Sequence, residues 1–151
     1  MATLPIIKCP NPILRQKAKK IKDPLDPKIQ ELILAMKETL NKKNGLGLAA
    51  PQVAESIQLC LVKDDRNSET TYVLINPQIK LSSREKSVME EGCLSIPEKF
   101  FLIERPEKIK VRYLDETGKK CKIKAEGLFA RAIQHEADHL KGILITDRIK
   151  K

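Results

Sequence analysis

The chain has two histidines in 151 residues, and both lie in one string, Gln134-His135-Glu136-Ala137-Asp138-His139. On an α-helix, residues four apart sit one turn apart on the same side, so two imidazoles at this spacing can reach one cation. Glu136, beside the first histidine, stands where a carboxylate can take a proton from a water on that cation. The competing reading is a pair of surface histidines with an ordinary charged neighbour. Few chains with only two histidines would place them four apart with a glutamate next to the first. A catalytic metal held by protein usually has three ligands and one open position, so a third ligand is needed.

Elimination narrows the search. Twelve residues follow His139 and none is Glu, so a downstream glutamate ligand is excluded. In the extended form HExxHxxGxxH, Gly142 fits but the last position is Ile145, which cannot ligate. The ligand must come from upstream, and the soft candidates are Cys9, Cys60, Cys93 and Cys121. Cys60 lies in the apolar run IQLCLVK, Cys121 alternates with Ile123, and Cys9 sits in an irregular arm. Cys93, in Glu91-Gly92-Cys93-Leu94-Ser95-Ile96-Pro97, follows a glycine where the backbone can turn tightly or approach another group. It is the favoured thiol, with a plain buried cysteine as the alternative. A third string, Gly45-Leu46-Gly47-Leu48-Ala49-Ala50-Pro51-Gln52, is glycine-rich but lacks the Lys-Ser/Thr of a phosphate loop. Its small residues suit a backbone lying against a ligand, and Gln52 offers an amide donor. Taken alone, it also reads as a helix-to-loop transition.

In this order and roughly 40 residues apart, GLGLAAPQ, EGCLS and QHEADH resemble the motifs of the peptide deformylases. The likeness extends from PNPILR at Pro10–Arg15 to DRI at Asp147–Ile149. The resemblance implies that Cys93 is the third metal ligand with His135 and His139. It implies removal of the N-formyl group from the initiator methionine of new polypeptides, with release of formate. Glu136 would act as general base and then acid, and the Gln52 side chain and the Leu94 backbone N–H would stabilise the charge on the formyl oxygen. Gly45, Leu46, Gly47 and Glu91 would border the substrate by motif position, and Leu128 and Ala132 by helical phase with His135. The implied cofactor is one divalent ion, ferrous iron (Fe2+) first, with Ni2+, Co2+ or Zn2+ as substitutes. Asp138 and Arg105 form either a supporting pair behind the site or two solvated charges. Some members of that family carry a further C-terminal helix for ribosome docking. Here Lys150-Lys151 follow Ile149, so docking would fall to dispersed basic surface.

The elements that must position these residues can be read in part. Asp26-Pro27 is an N-cap followed by Pro at the first helical position. Ile29, Leu32, Ile33, Met36 and Leu40 form one apolar stripe of about four turns, ending at Asn44-Gly45. Ile57–Val62 and Thr71–Ile75 are expected strands joined by the polar loop DDRNSE. Ile109, Val111 and Tyr113 alternate and are answered across the turn DETG by Cys121, Ile123 and Ala125. From Gly127 the period becomes helical, with Leu128, Ala132, His135 and His139 on one face and Gly142 at the stop. The first 25 residues, carrying Pro5, Pro10, Pro12 and Pro24, read as an irregular arm. The expected fold is α+β: antiparallel sheets around a central C-terminal metal-binding helix, with a second N-terminal helix, in one catalytic domain over residues 1–151.

Bulk composition bounds the alternatives. Hydrophobic residues make up 41%, charged residues 32% and aromatic residues 3%, as in a water-soluble globular domain with an aliphatic core. No apolar run approaches the ~20 residues of a membrane helix, and the N-terminus lacks the pattern of a secretory signal. A cytoplasmic protein with reduced thiols and no membrane partner is expected. The net charge of +9 favours polyanionic surroundings, but no aromatic is interleaved with the lysines to stack a base, so no sequence-specific nucleic-acid binding is expected. The expected partners are N-formylmethionyl nascent peptides and, transiently, the ribosome. Two rivals remain. A metalloprotease would share HExxH but lacks its usual downstream ligand here. A ribosome-associated module with a closed structural metal would need a fourth ligand, such as Cys60 or Cys121.

Overall fold

The computed structural model describes residues 3–149, with residues 67–69 described by their backbone alone; Lys150 and Lys151 lie outside the described residues. Helix α1, Pro27–Lys43, begins as its residues dictate. The Asp26 carboxylate accepts the Lys28 N–H at 2.9 Å and Pro27 fills the first turn. It ends at Asn44 in the left-handed region, φ 54°. Ile33, Met36 and Leu40 of the expected stripe are buried, while Ile29 and Leu32 pack at its margin. Its ends fall at the expected Asp26-Pro27 and Asn44.

The strands are β1 (Gly47–Ala49), β2 (Leu59–Asp64), β3 (Asn67–Ser82), β4 (Lys86–Cys93), β5 (Ile96–Pro106), β6 (Lys108–Leu114) and β7 (Lys120–Glu126). Helix α2, Gly127–Leu140, follows. Five strands form one antiparallel sheet in the order β1-β2-β3-β6-β7. Alternation sends side chains to two layers. Leu59, Leu61, Val73 and Ile75 meet Ile33, Met36 and Leu40 of α1. Cys60, Val62, Leu74, Ile109, Val111 and Ala125 meet Phe129, Ala130, Ile133 and Leu140 of α2. The β6–β7 register is the expected one, with Ile109 opposite Ala125, Val111 opposite Ile123 and Tyr113 opposite Cys121.

The second sheet is the hairpin β4–β5, which lies across α2 from the large sheet. It was not foreseen: Leu94-Ser95 is the turn of two long strands, with a register shift at Gly92/Cys93. Two further differences are local. The β2–β3 loop is a two-residue turn at Asp65-Arg66 instead of DDRNSE, and β3 continues to Ser82. The irregular arm contains a single 3-10 turn at Pro12–Arg15. The arm is tied down by the Leu4 N–H, which donates to Thr39 Oγ1 of α1 at 2.9 Å, and by the Ile7 N–H to the Gln52 carbonyl at 2.7 Å.

Candidate metal centre and active site

Helix α2 carries both histidines toward the hairpin. His139 Nε2 lies 3.4 Å from Cys93 Sγ, and the ligand atoms of Cys93, His135 and His139 all fall within 4.8 Å of one another. Among the described residues no fourth His, Cys or carboxylate joins them. Cys60 is buried in β2 against the core, Cys121 lies on β7 and Cys9 is exposed in the arm. Of the four thiols, Cys93 is the one that the structure brings beside both histidines.

The donor set suits a cation. His135 Nδ1 lies 3.1 Å from Glu91 Oε1, an arrangement that turns Nε2 toward the thiol, as supporting carboxylates do behind metal-binding histidines. Burial opposes a charge on His135, but Glu136, Cys93 and Glu91 overrule it and raise its pKa to about 10. The neighbours therefore favour positive charge at this point. His139 is held well below the usual range by burial, His135 and Arg105, so it is a neutral imidazole, the form that ligates. Among the described residues, His139 Nδ1 and Glu136 Oε1 are buried polar atoms without a protein partner.

Glu136 is buried beside this group, with Oε2 4.0 Å from His135 Nε2. Burial lifts its carboxyl to about 7 against the pull of His135 and Arg105, so it can both take and return a proton near neutral pH. Gly47 explains itself here. A Cβ at that position would meet Glu136 Oε2 at 2.6 Å and Cγ at 2.7 Å, so only glycine lets the β1 backbone lie against the carboxylate. Gln52 is fixed at both ends of its amide. Oε1 accepts the Ala49 N–H at 2.9 Å, and Nε2 donates to Ser95 Oγ at 3.1 Å with Cys93 Sγ at 3.7 Å. Leu94 occupies the turn after Cys93, and its side chain would meet a Cβ on Gly45 at 3.3 Å.

A cleft of about 570 Å³ opens over these groups. Gly45, Leu46, Gly47, Gln52, Glu91, Leu94, Leu128 and Ala132 all line it, with Cys93, His135 and Glu136. Glu91 reaches the cleft wall, and its carboxylate is taken up by Arg105 Nε at 2.7 Å and Nη2 at 3.0 Å, by Arg131 Nη1 and by His135. Burial would raise its pKa, yet His135 and Arg105 hold it at about 2. Arg105 also donates to Asp138 at 2.9 Å, so the expected pair exists and is buried. Arg148 meets the same carboxylate at 2.9 Å and 3.0 Å. Sequence reasoning missed Arg131 and Ser95. Arg131 is buried and donates to the Ile103 and Ser87 carbonyls at 3.0 Å and 2.8 Å, joining α2 to both hairpin strands.

The family model described as polypeptide deformylase matches residues 3–151. The chain belongs to this family. It is similar to the peptide deformylase of Mesorhizobium japonicum, 42% identical over 153 residues covering 100% of this chain and 86% of that one. The crystal structure of the peptide deformylase from Thermotoga maritima superposes with a TM-score of 0.94 at 39% identity, each chain covered over 100% of its length. The Met-Ala-Ser-bound class I type b peptide deformylase from Acinetobacter baumannii gives 0.91 at 36% identity, covering 98% of this chain and 99% of that one. Deformylation of N-formylmethionyl peptides is therefore the activity that family and fold support. Among the described residues, no helix is long and apolar enough to cross a membrane.

Proposed function

We propose that this deformylase-family chain hydrolyses the formamide of N-formylmethionyl nascent peptides with a divalent ion held by Cys93, His135 and His139, and with Glu136 as proton carrier. The observation that carries the reading is the convergence of one thiol and two imidazoles within 4.8 Å, beside a buried carboxylate, at the floor of the cleft. When bound, the ion acidifies a water enough to make it a nucleophile near neutral pH; by the family resemblance it is Fe2+, with Ni2+, Co2+ or Zn2+ as substitutes.

The chain's own residues account for the rest. Glu136 takes the proton as water oxygen adds to the formyl carbon, then returns it to the nitrogen as the C–N bond breaks, leaving formate and a free methionine amine. Gln52 Nε2 spends one N–H on Ser95, and the second, which faces Cys93 Sγ at 3.7 Å, would turn to the developing oxyanion, joined by the Leu94 backbone N–H. Each such donor is worth about 3 kcal/mol of barrier. β1 is the edge strand of the large sheet, so the peptide adds alongside Gly45–Gly47 as a further strand, through main-chain bonds that tolerate varied sequences. Leu46, Leu128 and Ala132 offer apolar walls to the methionine side chain. The substrate exists while chains grow, so the proposed setting is the cytoplasmic ribosome, approached through basic surface.

The test is release of free amine from formyl-Met-Ala-Ser by protein purified without oxygen and assayed for metal. Turnover should fall in air and return with Fe2+ or Ni2+, because a thiolate at the metal is open to oxidation. Glu136→Gln should retain the ion and lose at least ~100-fold in turnover, the usual worth of a positioned general base. Normal turnover in that variant would sink the mechanism.

A further inference from the structure

One face of the five-stranded sheet changes character along its width. Over β1, β2 and the start of β3 it is apolar and covered by α1, ending at Leu114 of β6. Past that point the same face is open and cationic. Lys108, Lys110 and Arg112 of β6 and Lys120, Lys122 and Lys124 of β7 are exposed, while the intervening Ile109, Val111, Tyr113, Cys121, Ile123 and Ala125 point to the α2 core. The register puts like charges directly opposite: Lys110 faces Lys124 and Arg112 faces Lys122. Lys80 of β3 joins Lys110, Arg112, Lys122 and Lys124 around a surface depression of about 400 Å³.

Directly opposed like charges destabilise an antiparallel pair, and a face needing only solubility would intersperse acids. Among the described residues no carboxylate lies within ion-pair distance of these five cations. The compensated pair at this end, Lys108 with Glu126 at 3.8 Å, lies beyond them. Charges repeat at about 5 Å across the strands and about 7 Å along them. This row exceeds the reach of one small anion and suits a run of backbone phosphates. None of the face's residues is aromatic, which removes both the stacking platform of a single-strand reader and the belt that seats a protein in a lipid interface.

We infer that the Lys110–Arg112–Lys122–Lys124 face is a docking surface for the phosphate backbone of structured RNA. Duplex RNA is recognised by shape and phosphate contacts, without base readout, and a nascent-chain substrate is found beside RNA. The inference thus deepens the ribosomal setting proposed above and rests on it. The surface lies on the sheet face away from α2, so it leaves the cleft free.

The experiment measures binding of metal-loaded protein to a fluorescent 20-base-pair RNA hairpin across a salt series, with turnover of formyl-Met-Ala-Ser followed in the same samples. A patch variant, Lys110→Gln/Arg112→Gln/Lys122→Gln/Lys124→Gln, is compared with a charge-matched control, Lys28→Gln/Lys42→Gln/Lys86→Gln/Lys141→Gln, at exposed positions elsewhere. The patch variant should melt no lower than the parent, keep its turnover, bind the hairpin at least ~10-fold more weakly and lose about 3 to 4 from the slope of log K against log salt. The control should lose less than ~3-fold. Equal losses in both variants, or no binding by the parent, would overturn the surface and leave the deformylase reading intact. Tighter, patch-dependent binding to phosphatidylserine vesicles than to the hairpin would overturn it in favour of a membrane. A parent that binds RNA through the patch but releases no amine would support the surface and remove the catalytic reading.

Discussion

The five-stranded sheet and the β4–β5 hairpin flank the same helix and are both antiparallel, yet they are held by different means. In the sheet, strand alternation buries Leu59, Leu61, Val73 and Ile75 on one side and Val62, Leu74, Ile109 and Val111 on the other. The hairpin has a smaller apolar share, Ile96 and Ile103 with Ile145. Its buried side also carries Glu91 and Arg105, which join Arg131 and Asp138 of α2, while Val88, Phe100 and Leu102 are exposed. Apolar burial is non-directional and gives stability. An ionic network is directional, and its desolvation cost offsets much of its attraction, so its use here is better explained by placement. It holds Cys93 at the hairpin turn and His135 on the helix in one arrangement.

The largest effect that tests this contrast comes from its two central residues. Glu91→Ala leaves Arg105 and Arg131 buried without their shared acceptor and should cost about 3–5 kcal/mol of stability. It also frees the His135 ring, so metal affinity should fall by about 10- to 100-fold. Leu61→Ala opens a cavity in the sheet and should cost a similar ~2–5 kcal/mol, with metal affinity unchanged. Denaturant unfolding and metal titration on both variants decide the matter. If Glu91→Ala keeps full metal affinity, the network does not position the site.

A subtler consequence is local stability. With less apolar burial, backbone amides in the middle of β4 and β5 should exchange through partial opening. Those in the middle of β2 and β3 should wait for global unfolding. Native-state hydrogen exchange should show protection at least ~10-fold lower in the hairpin, narrowing when metal is added because the ion ties Cys93 to α2. Equal protection in both sheets without metal would erase the distinction.

The same contrast explains what the sequence discloses. Helix α1 is legible because Asp26-Pro27, one apolar stripe and Asn44 all agree, and β6–β7 because Ile109, Val111 and Tyr113 alternate against Cys121, Ile123 and Ala125. Cys93, His135 and His139 converge within 4.8 Å of one another; spacing marks the two histidines, and the family resemblance marks the cysteine that elimination only favours. The hairpin stays hidden because Glu91 and Arg105 interrupt its buried side while Val88, Phe100 and Leu102 lie outside, so Phe101 and Ile103 make no sustained period-2 apolar pattern. The partners of Glu91, Arg131 and Ser95 are illegible for a related reason. Each acts through a partner distant in sequence, with Glu91 and Arg131 40 positions apart and Gln52 and Ser95 43 apart. No local spacing encodes such pairs.

The smallest test is a charge pair outside both sheets. Asp147 accepts hydrogen bonds from Arg15, which ties the N-terminal arm to the C-terminal segment, and from the Leu144 N–H at 3.0 Å. The hydrogen bond from Arg15, stronger than the opposing desolvation, holds the Asp147 carboxyl below its ordinary range. A depressed folded pKa means that this stabilisation is fully present above the unfolded value of about 3.9 and is lost as pH falls through the folded one. Both side chains are about half exposed, at 49% and 40%, so solvent screening limits Asp147→Asn to about 0.5–1 kcal/mol at pH 7. That cost should shrink in high salt and as pH falls from 7 through the folded pKa. Urea midpoints for parent and variant at pH 7 and pH 2 measure it. A loss that equals that of Glu91→Ala, or that ignores salt and pH, would show that the arm is held by something other than this pair, and that ionic contacts outside the hairpin do the same structural work as those within it.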